Sequence, residues 1–94
     1  MRKEINYIKW ATIYKALANV NRLKILSILQ KNGEMSVTEL SKEIRISLKN
    51  TSWNLKILLD LDLVEYVGKK DFVFYKLNPK LPVFIKDTLD ISVL

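Results

Sequence analysis

Between Ser47 and Leu59, Lys49, Asn50, Trp53, Asn54 and Lys56 gather on one side of a helix. Ile46, Thr51, Leu55 and Leu58 recur on the other side at spacings close to 3.6 residues. Those outer residue types can do one kind of chemistry well. An asparagine amide pairs with the edge of adenine, and a lysine meets guanine acceptors or phosphate. Asn50, Asn54 and Lys49 suit base reading, Lys56 suits a sugar-phosphate backbone, and Trp53 suits a thymine methyl or a sugar face. The plainer alternative is a solvated helix surface, which needs amides and charges anyway. Against it stands Trp53, because an exposed tryptophan without a partner is unusual.

Two serines open helices. Ser36-Val-Thr-Glu39 has the capping-box pattern, and Ser47 precedes the amide-rich helix. Free backbone N–H groups at such starts bind phosphate, although capping alone accounts for a serine there. Lys69 and Lys70 sit at the expected tip of a hairpin, where they reach a minor groove or a phosphate, or are simply solvated. Asp87 and Asp90 share a helix face. Two carboxylates without further ligands make a poor site for a hard cation, and solvated side chains are the better reading.

Other chemistry is missing from these residues. The 94-residue sequence has no cysteine and no histidine, so it offers no disulfide, thiolate ligand or imidazole ligand. With two glycines in all, it has no phosphate-cradling loop. No catalytic constellation is visible, and the expectation is that the protein is not an enzyme and carries no cofactor and no metal. The net charge of +6 favours an anionic partner. Residues 1–33 hold Arg2, Lys3, Lys9, Lys15, Arg22, Lys24 and Lys31 against Glu4 alone, while acids and bases cancel in the remainder. Within that neutral remainder, the stretch from Arg45 to Lys56 is locally positive. No apolar run approaches a membrane span or an export signal, so the cytoplasm is the expected location.

The elements that position these residues are legible from period and punctuation. A helix is expected over residues 4–18, with Ile5, Ile8, Thr12 and Tyr14 to Leu17 near one face and Tyr7, Trp10, Ala11 and Ala18 elsewhere. A helix apolar nearly all round requires cover on more than one side. A second subunit is the expected cover; packing on its own core alone is the alternative. Asn19 caps a second helix that buries Leu23, Ile25 or Leu26, and Leu29, and Gly33 ends it. Val37, Leu40 and Ile44 point inward from a third helix that starts at Ser36. From Leu63 the period changes to two, as in a hairpin, with Gly68-Lys69-Lys70-Asp71 as its turn. Asn78-Pro79 and Leu81-Pro82 break regular structure, and residues 83–94 read as a last short helix. The length allows one domain, residues 1–94.

Several separated segments are similar to one family. Lys15-Ala-Leu-Ala-Asn-Val-Asn-Arg-Leu-Lys-Ile-Leu26, Ser36-Val-Thr-Glu-Leu40, Ser52-Trp-Asn-Leu55, Leu63-Val64 and Phe74-Tyr-Lys-Leu77 resemble, in order, the ArsR/SmtB winged-helix repressors. The resemblance covers about two thirds of the chain. It implies a homodimer joined through the first and last helices, here residues 4–18 and 83–94, that binds an operator as a transcriptional regulator. Three departures stand out. Asn54 takes the place of a histidine, Leu61-Asp62 replaces an Ala-Gly pair, and the cysteines or histidines that metal-sensing members use are missing.

The expected fold is therefore mainly α with a small β-hairpin, a dimeric winged helix-turn-helix. The expected function is sequence-specific binding of double-stranded DNA by a regulator, a repressor, without Cys/His metal sensing and with an unread effector. Two alternatives use the same residues: a winged-helix module that docks an acidic protein, and a sequence-neutral coat on DNA. Asn50, Asn54 and Lys49 suit base edges better than a protein groove.

Overall fold

The computed structural model describes residues 6–69, 71–82 and 85–86. Among them the chain forms α1 (Tyr7–Leu17), α2 (Val20–Asn32), β1 (Met35–Ser36), α3 (Val37–Ile44), α4 (Leu48–Asp60), β2 (Val64–Lys69) and β3 (Phe72–Leu77). The strands form one antiparallel sheet in the order β1-β3-β2. Lys70 and most of 83–94 lie outside the described residues, so the expected last helix is outside them too, apart from Ile85 and Lys86.

Each helix start is set by a short polar side chain. Asn6 Oδ1 accepts from the Lys9 amide at 3.0 Å, and Asn19 Oδ1 accepts from the Arg22 amide at 3.1 Å. Ser36 and Glu39 close a full capping box: Ser36 Oγ accepts from the Glu39 amide, and Glu39 Oε1 accepts from the Ser36 amide. Ser47 Oγ accepts from the Asn50 amide at 3.0 Å. Each bond satisfies an N–H that the helix itself leaves open.

α1 ends at Ala18 with an ordinary φ of −79°, whereas the ends of α2, α3 and α4 use positive φ. Gly33 closes α2 at φ 86°, which a residue without Cβ reaches at little cost. Arg45 ends α3 at φ 64°, and its amide and that of Ile46 both donate to the Ser41 carbonyl. Asp62 follows α4 at φ 59°, with its amide bonded to Leu59 and that of Leu63 bonded to Leu58. That pair of bonds is a Schellman closure. It gives a reason for the glycine of the Ala-Gly pair at this position, and aspartate is among the few other residues that tolerate it.

The core joins all three parts of the domain. Ile25, Leu26 and Leu29 of α2, Leu40 and Ile44 of α3, and Leu55 and Leu58 of α4 are buried with Ile13, Leu63 and Val64. The α3–α4 turn is held by packing at both ends, since Ile44 is buried and Ile46 packs against the same cluster.

The hairpin differs from expectation in two ways. Lys69 pairs with Phe72 and Gly68 with Val73, so both lie in β2 and the turn is shorter than Gly68–Asp71. The second difference is β1, in which Met35 pairs with Tyr75 and Ser36 with Phe74. Two residues carry no readable alternation, and only the distant β3 makes them a strand.

Candidate nucleic-acid interface

α4 carries a buried side and a free side. Thr51, Leu55 and Leu58 are buried, whereas Lys49, Asn50, Trp53 and Lys56 are exposed. Trp53 keeps 62% of its surface, although it sits two residues from fully buried Leu55. Lys56 Nζ lies 3.3 Å from Asp60 Oδ2, one turn along the helix, with both groups solvated. Such a pair is weak and easily exchanged for a phosphate. Ser47 stands at the exposed N-terminus of the same helix, and its hydroxyl hydrogen is not used by the cap. Ser36, half-buried, is committed to its capping box.

Asn54 is a correction. The expected outer residue is 4% exposed and faces the body of the domain. The reason is visible in the helical phase: Asn54 lies three residues after Thr51 and four before Leu58, on the inward stripe. Its polar atoms are all used. Asn54 Oδ1 accepts from Arg22 Nη1 at 3.0 Å, and Asn54 Nδ2 donates to the Asn50 carbonyl at 3.0 Å and to Asn50 Oδ1 at 2.7 Å. A base-reading role for Asn54 does not fit this burial.

Arg22, in the sequence one of seven basic residues before position 34, has a role that its charge alone does not indicate. Its Nε donates to the Ala16 carbonyl at the end of α1, 2.7 Å away, while Nη1 holds Asn54. One guanidinium therefore ties α1, α2 and α4 together. The sequence held a signal: Arg22 precedes buried Leu26 and Leu29 by four and seven residues, which places a charge on the core stripe. A half-buried charge is costly without partners, and these two carbonyl oxygens are partners for it.

The wing brings a different surface. Lys69 Nζ is 2.6 Å from Glu34 Oε2 and 5.5 Å from the centre of the Phe74 ring. That hydrogen bond, chiefly, holds the Glu34 carboxyl below the usual carboxylate range, with surface desolvation working against it and the Lys69 and Lys76 charges adding to it. Lys76 pairs with Glu65 at 3.8 Å. Lys69 thus reaches the wing but is not unpaired there, and Lys70 lies outside the described residues. The wing also exposes Tyr66, Phe72 and Val73.

α1 presents a further free surface. Tyr7, Ala11 and Tyr14 recur on the side opposite buried Ala16, with Ile8 beside them. Tyr7 and Ile8 are 74% and 82% exposed.

This arrangement has counterparts in known proteins. The profile of the bacterial regulatory protein, arsR family, matches residues 19–66, from the cap of α2 into β2. The chain belongs to the arsR family. It is similar to the arsenical resistance operon repressor of Bacillus subtilis (strain 168), with 34% identity over 70 residues, which are 74% of this chain and 67% of that protein. The solved structure of HlyU from Vibrio cholerae N16961 superposes with a TM-score of 0.77 at 33% identity, covering 96% of this chain and 94% of that one. The homodimeric winged helix-turn-helix DNA-binding domain Mb0332 from Mycobacterium bovis matches with a TM-score of 0.74 at 24% identity, over 99% and 87% of the two chains. At that identity the likeness is one of fold. The arsR-family chain is thus a winged helix-turn-helix, α3 and α4 being the helix-turn-helix and β2–β3 the wing. Its family consists of DNA-binding transcriptional regulators, not enzymes. Among the described residues no helix is long and apolar enough to cross a membrane.

Proposed function

We propose that this arsR-family protein is a cytoplasmic repressor that binds a specific double-stranded operator as a homodimer. The observation that carries the reading is the free face of α4. A helix anchored on one side by Leu55 and Leu58 holds Lys49, Asn50, Trp53 and Lys56 out to solvent on the other. Such a helix fits a major groove, where Asn50 and Lys49 meet base edges and Lys56 meets phosphate. Ser47 and the N-terminal amides of α4 add phosphate contacts. The wing, with Lys69 and Lys70, lies against the flanking backbone or minor groove.

The dimer reading is supported by the stripe Tyr7, Ala11 and Tyr14, which a second α1 would cover. Residues 83–94 would complete the seam. Two copies of α4 then meet half-sites one turn apart, roughly 34 Å. The B. subtilis relative is named for arsenical resistance. Here the 94 residues contain neither cysteine nor histidine, so an inducing signal acts without thiolate or imidazole ligands from them.

The test is fluorescence anisotropy with duplex DNA from upstream of the protein's own gene, against a random duplex, over a salt series. Salt must vary because the non-specific electrostatic part of binding falls steeply with it. A preference of about a thousandfold or more at moderate salt, with two protomers per duplex, is the expected result. Equal affinity for both duplexes would favour a sequence-neutral coat. Binding to neither, with capture of one stoichiometric acidic protein, would favour a docking module.

A further inference from the structure

We infer that Arg22 decides which end of the Asn50 amide faces the DNA, so that α4 offers a hydrogen-bond donor there and reads guanine. The inference rests on the DNA-binding reading of α4 and adds a base preference to it.

The logic is a chain of donors and acceptors. A guanidinium has donors only. The Asn54 atom 3.0 Å from Arg22 Nη1 is therefore its oxygen. This fixes an assignment that an amide alone leaves open. With its oxygen turned to Arg22, Asn54 must direct its nitrogen at the Asn50 carbonyl and side chain. The Asn50 atom receiving that N–H at 2.7 Å is in turn an oxygen. Asn50 is exposed, and its amide nitrogen has no partner among the described residues. That nitrogen is the end left for the groove.

A free asparagine reads adenine with both ends, accepting from N6 and donating to N7. The oxygen keeps a second lone pair, but held against buried Asn54 it is turned from the groove, and half of that pairing is lost. What remains is a donor, and guanine, with N7 and O6 both acceptors, is the base that answers it best. Cytosine, which presents an N4 donor, is the base it disfavours. Asn54 and Arg22 are thus positioning residues: they set specificity from beneath the helix without reaching the DNA.

The experiment compares base preference at every operator position for the wild-type protein, Asn50→Ala and Asn54→Asp, by selection from a randomised duplex pool. Asn50→Ala should flatten preference at one position per half-site. Asn54→Asp still accepts from Arg22 but has no N–H for Asn50. The Asn50 amide should then turn over, give its nitrogen to the introduced carboxylate and present its oxygen. The expected result is a switch at that one position from guanine towards cytosine, about tenfold in relative affinity, the scale of one hydrogen bond. An unchanged guanine preference in Asn54→Asp would overturn the inference, as would Asn50→Ala leaving every position unchanged. A second measurement uses the wild-type protein alone. By NMR, the Asn54 side-chain nitrogen should show a scalar coupling across its hydrogen bond to the Asn50 side-chain carbonyl carbon; the reverse coupling, from the Asn50 nitrogen to the Asn54 carbonyl carbon, or none, overturns the orientation. A wild-type protein with no sequence preference would reject the DNA reading itself, and the coupling across the hydrogen bond would still decide the orientation.

Discussion

Removing the donors of Arg22 should loosen the whole domain. Arg22→Met keeps an aliphatic stem of similar length and deletes the bonds to the Ala16 carbonyl and to Asn54 Oδ1. Asn54 is almost fully buried, so its oxygen has no water to turn to. A stranded buried acceptor costs about 1–3 kcal/mol. The Ala16 carbonyl sits at a helix end and is more easily hydrated, which keeps its share at the low end of that range. The total is about 2–3 kcal/mol, a large part of the roughly 5–15 kcal/mol that holds a domain folded. In a chain of this size the loss corresponds to a fall in Tm of about 10–20 °C. Urea unfolding at one fixed protein concentration is the assay, because self-association would add stability that varies with concentration. A double-mutant cycle with Asn54→Ala isolates the pair, and its coupling should be about 1–2 kcal/mol, as for a hydrogen bond to a charged group in a half-buried place. A coupling indistinguishable from zero, or a single-variant loss well under about 1 kcal/mol, would refute the claim that this guanidinium ties three helices together.

Three more outcomes are expected. Arg45→Gly should raise stability by about 0.5–1 kcal/mol, because an L-residue at φ 64° is strained by more than the entropy glycine forfeits; Asp62→Gly, where aspartate tolerates the conformation, should gain less, both read by urea midpoints. Lys56→Ala should weaken binding to all duplexes and reduce the slope of log affinity against log salt by about one, whereas Phe72→Ala at the exposed wing should weaken binding with the slope unchanged. The Glu34–Lys69 pair should show in the acid limb of stability. Glu34 titrates lower folded than unfolded, so the unfolded chain binds more protons and stability rises with pH across that window. The contribution is complete above the unfolded carboxyl value of about 4.3 and disappears as pH falls through the lower folded value. Unfolding curves of wild type and Glu34→Gln should therefore converge in strong acid and separate above it.

Order and punctuation make most of the fold legible in the sequence itself. Asn19, Ser36 and Ser47 announced three helix starts because a side-chain oxygen is the nearest partner for an N–H that no helix can satisfy alone. Gly33 announced an end because its backbone turns left. Leu55 and Leu58, at helical spacing, announced the inner side of α4. The exposed Lys49, Asn50 and Trp53 followed from the same phase. These are local facts, set within a few residues of chain.

What lay beyond the sequence is whatever depends on a partner far along it. β1 exists because Met35 and Ser36 meet Tyr75 and Phe74. Asp62 accepts a left-handed backbone because Leu63 must enter the core directly after α4, while Asn78 donates to its carbonyl from across the chain. Asn54 is the sharpest case. By type it suited a base edge, while its phase, three residues after Thr51 and four before Leu58, put it on the inward stripe. The guanidinium of Arg22, 32 residues earlier, decided the matter by offering a buried amide the charged donor it needed. Sequence alone determined that α4 would carry amides and lysines. Tertiary structure decided which amide faces outward and which one holds it there, because burial and donor–acceptor matching are settled only when distant segments meet.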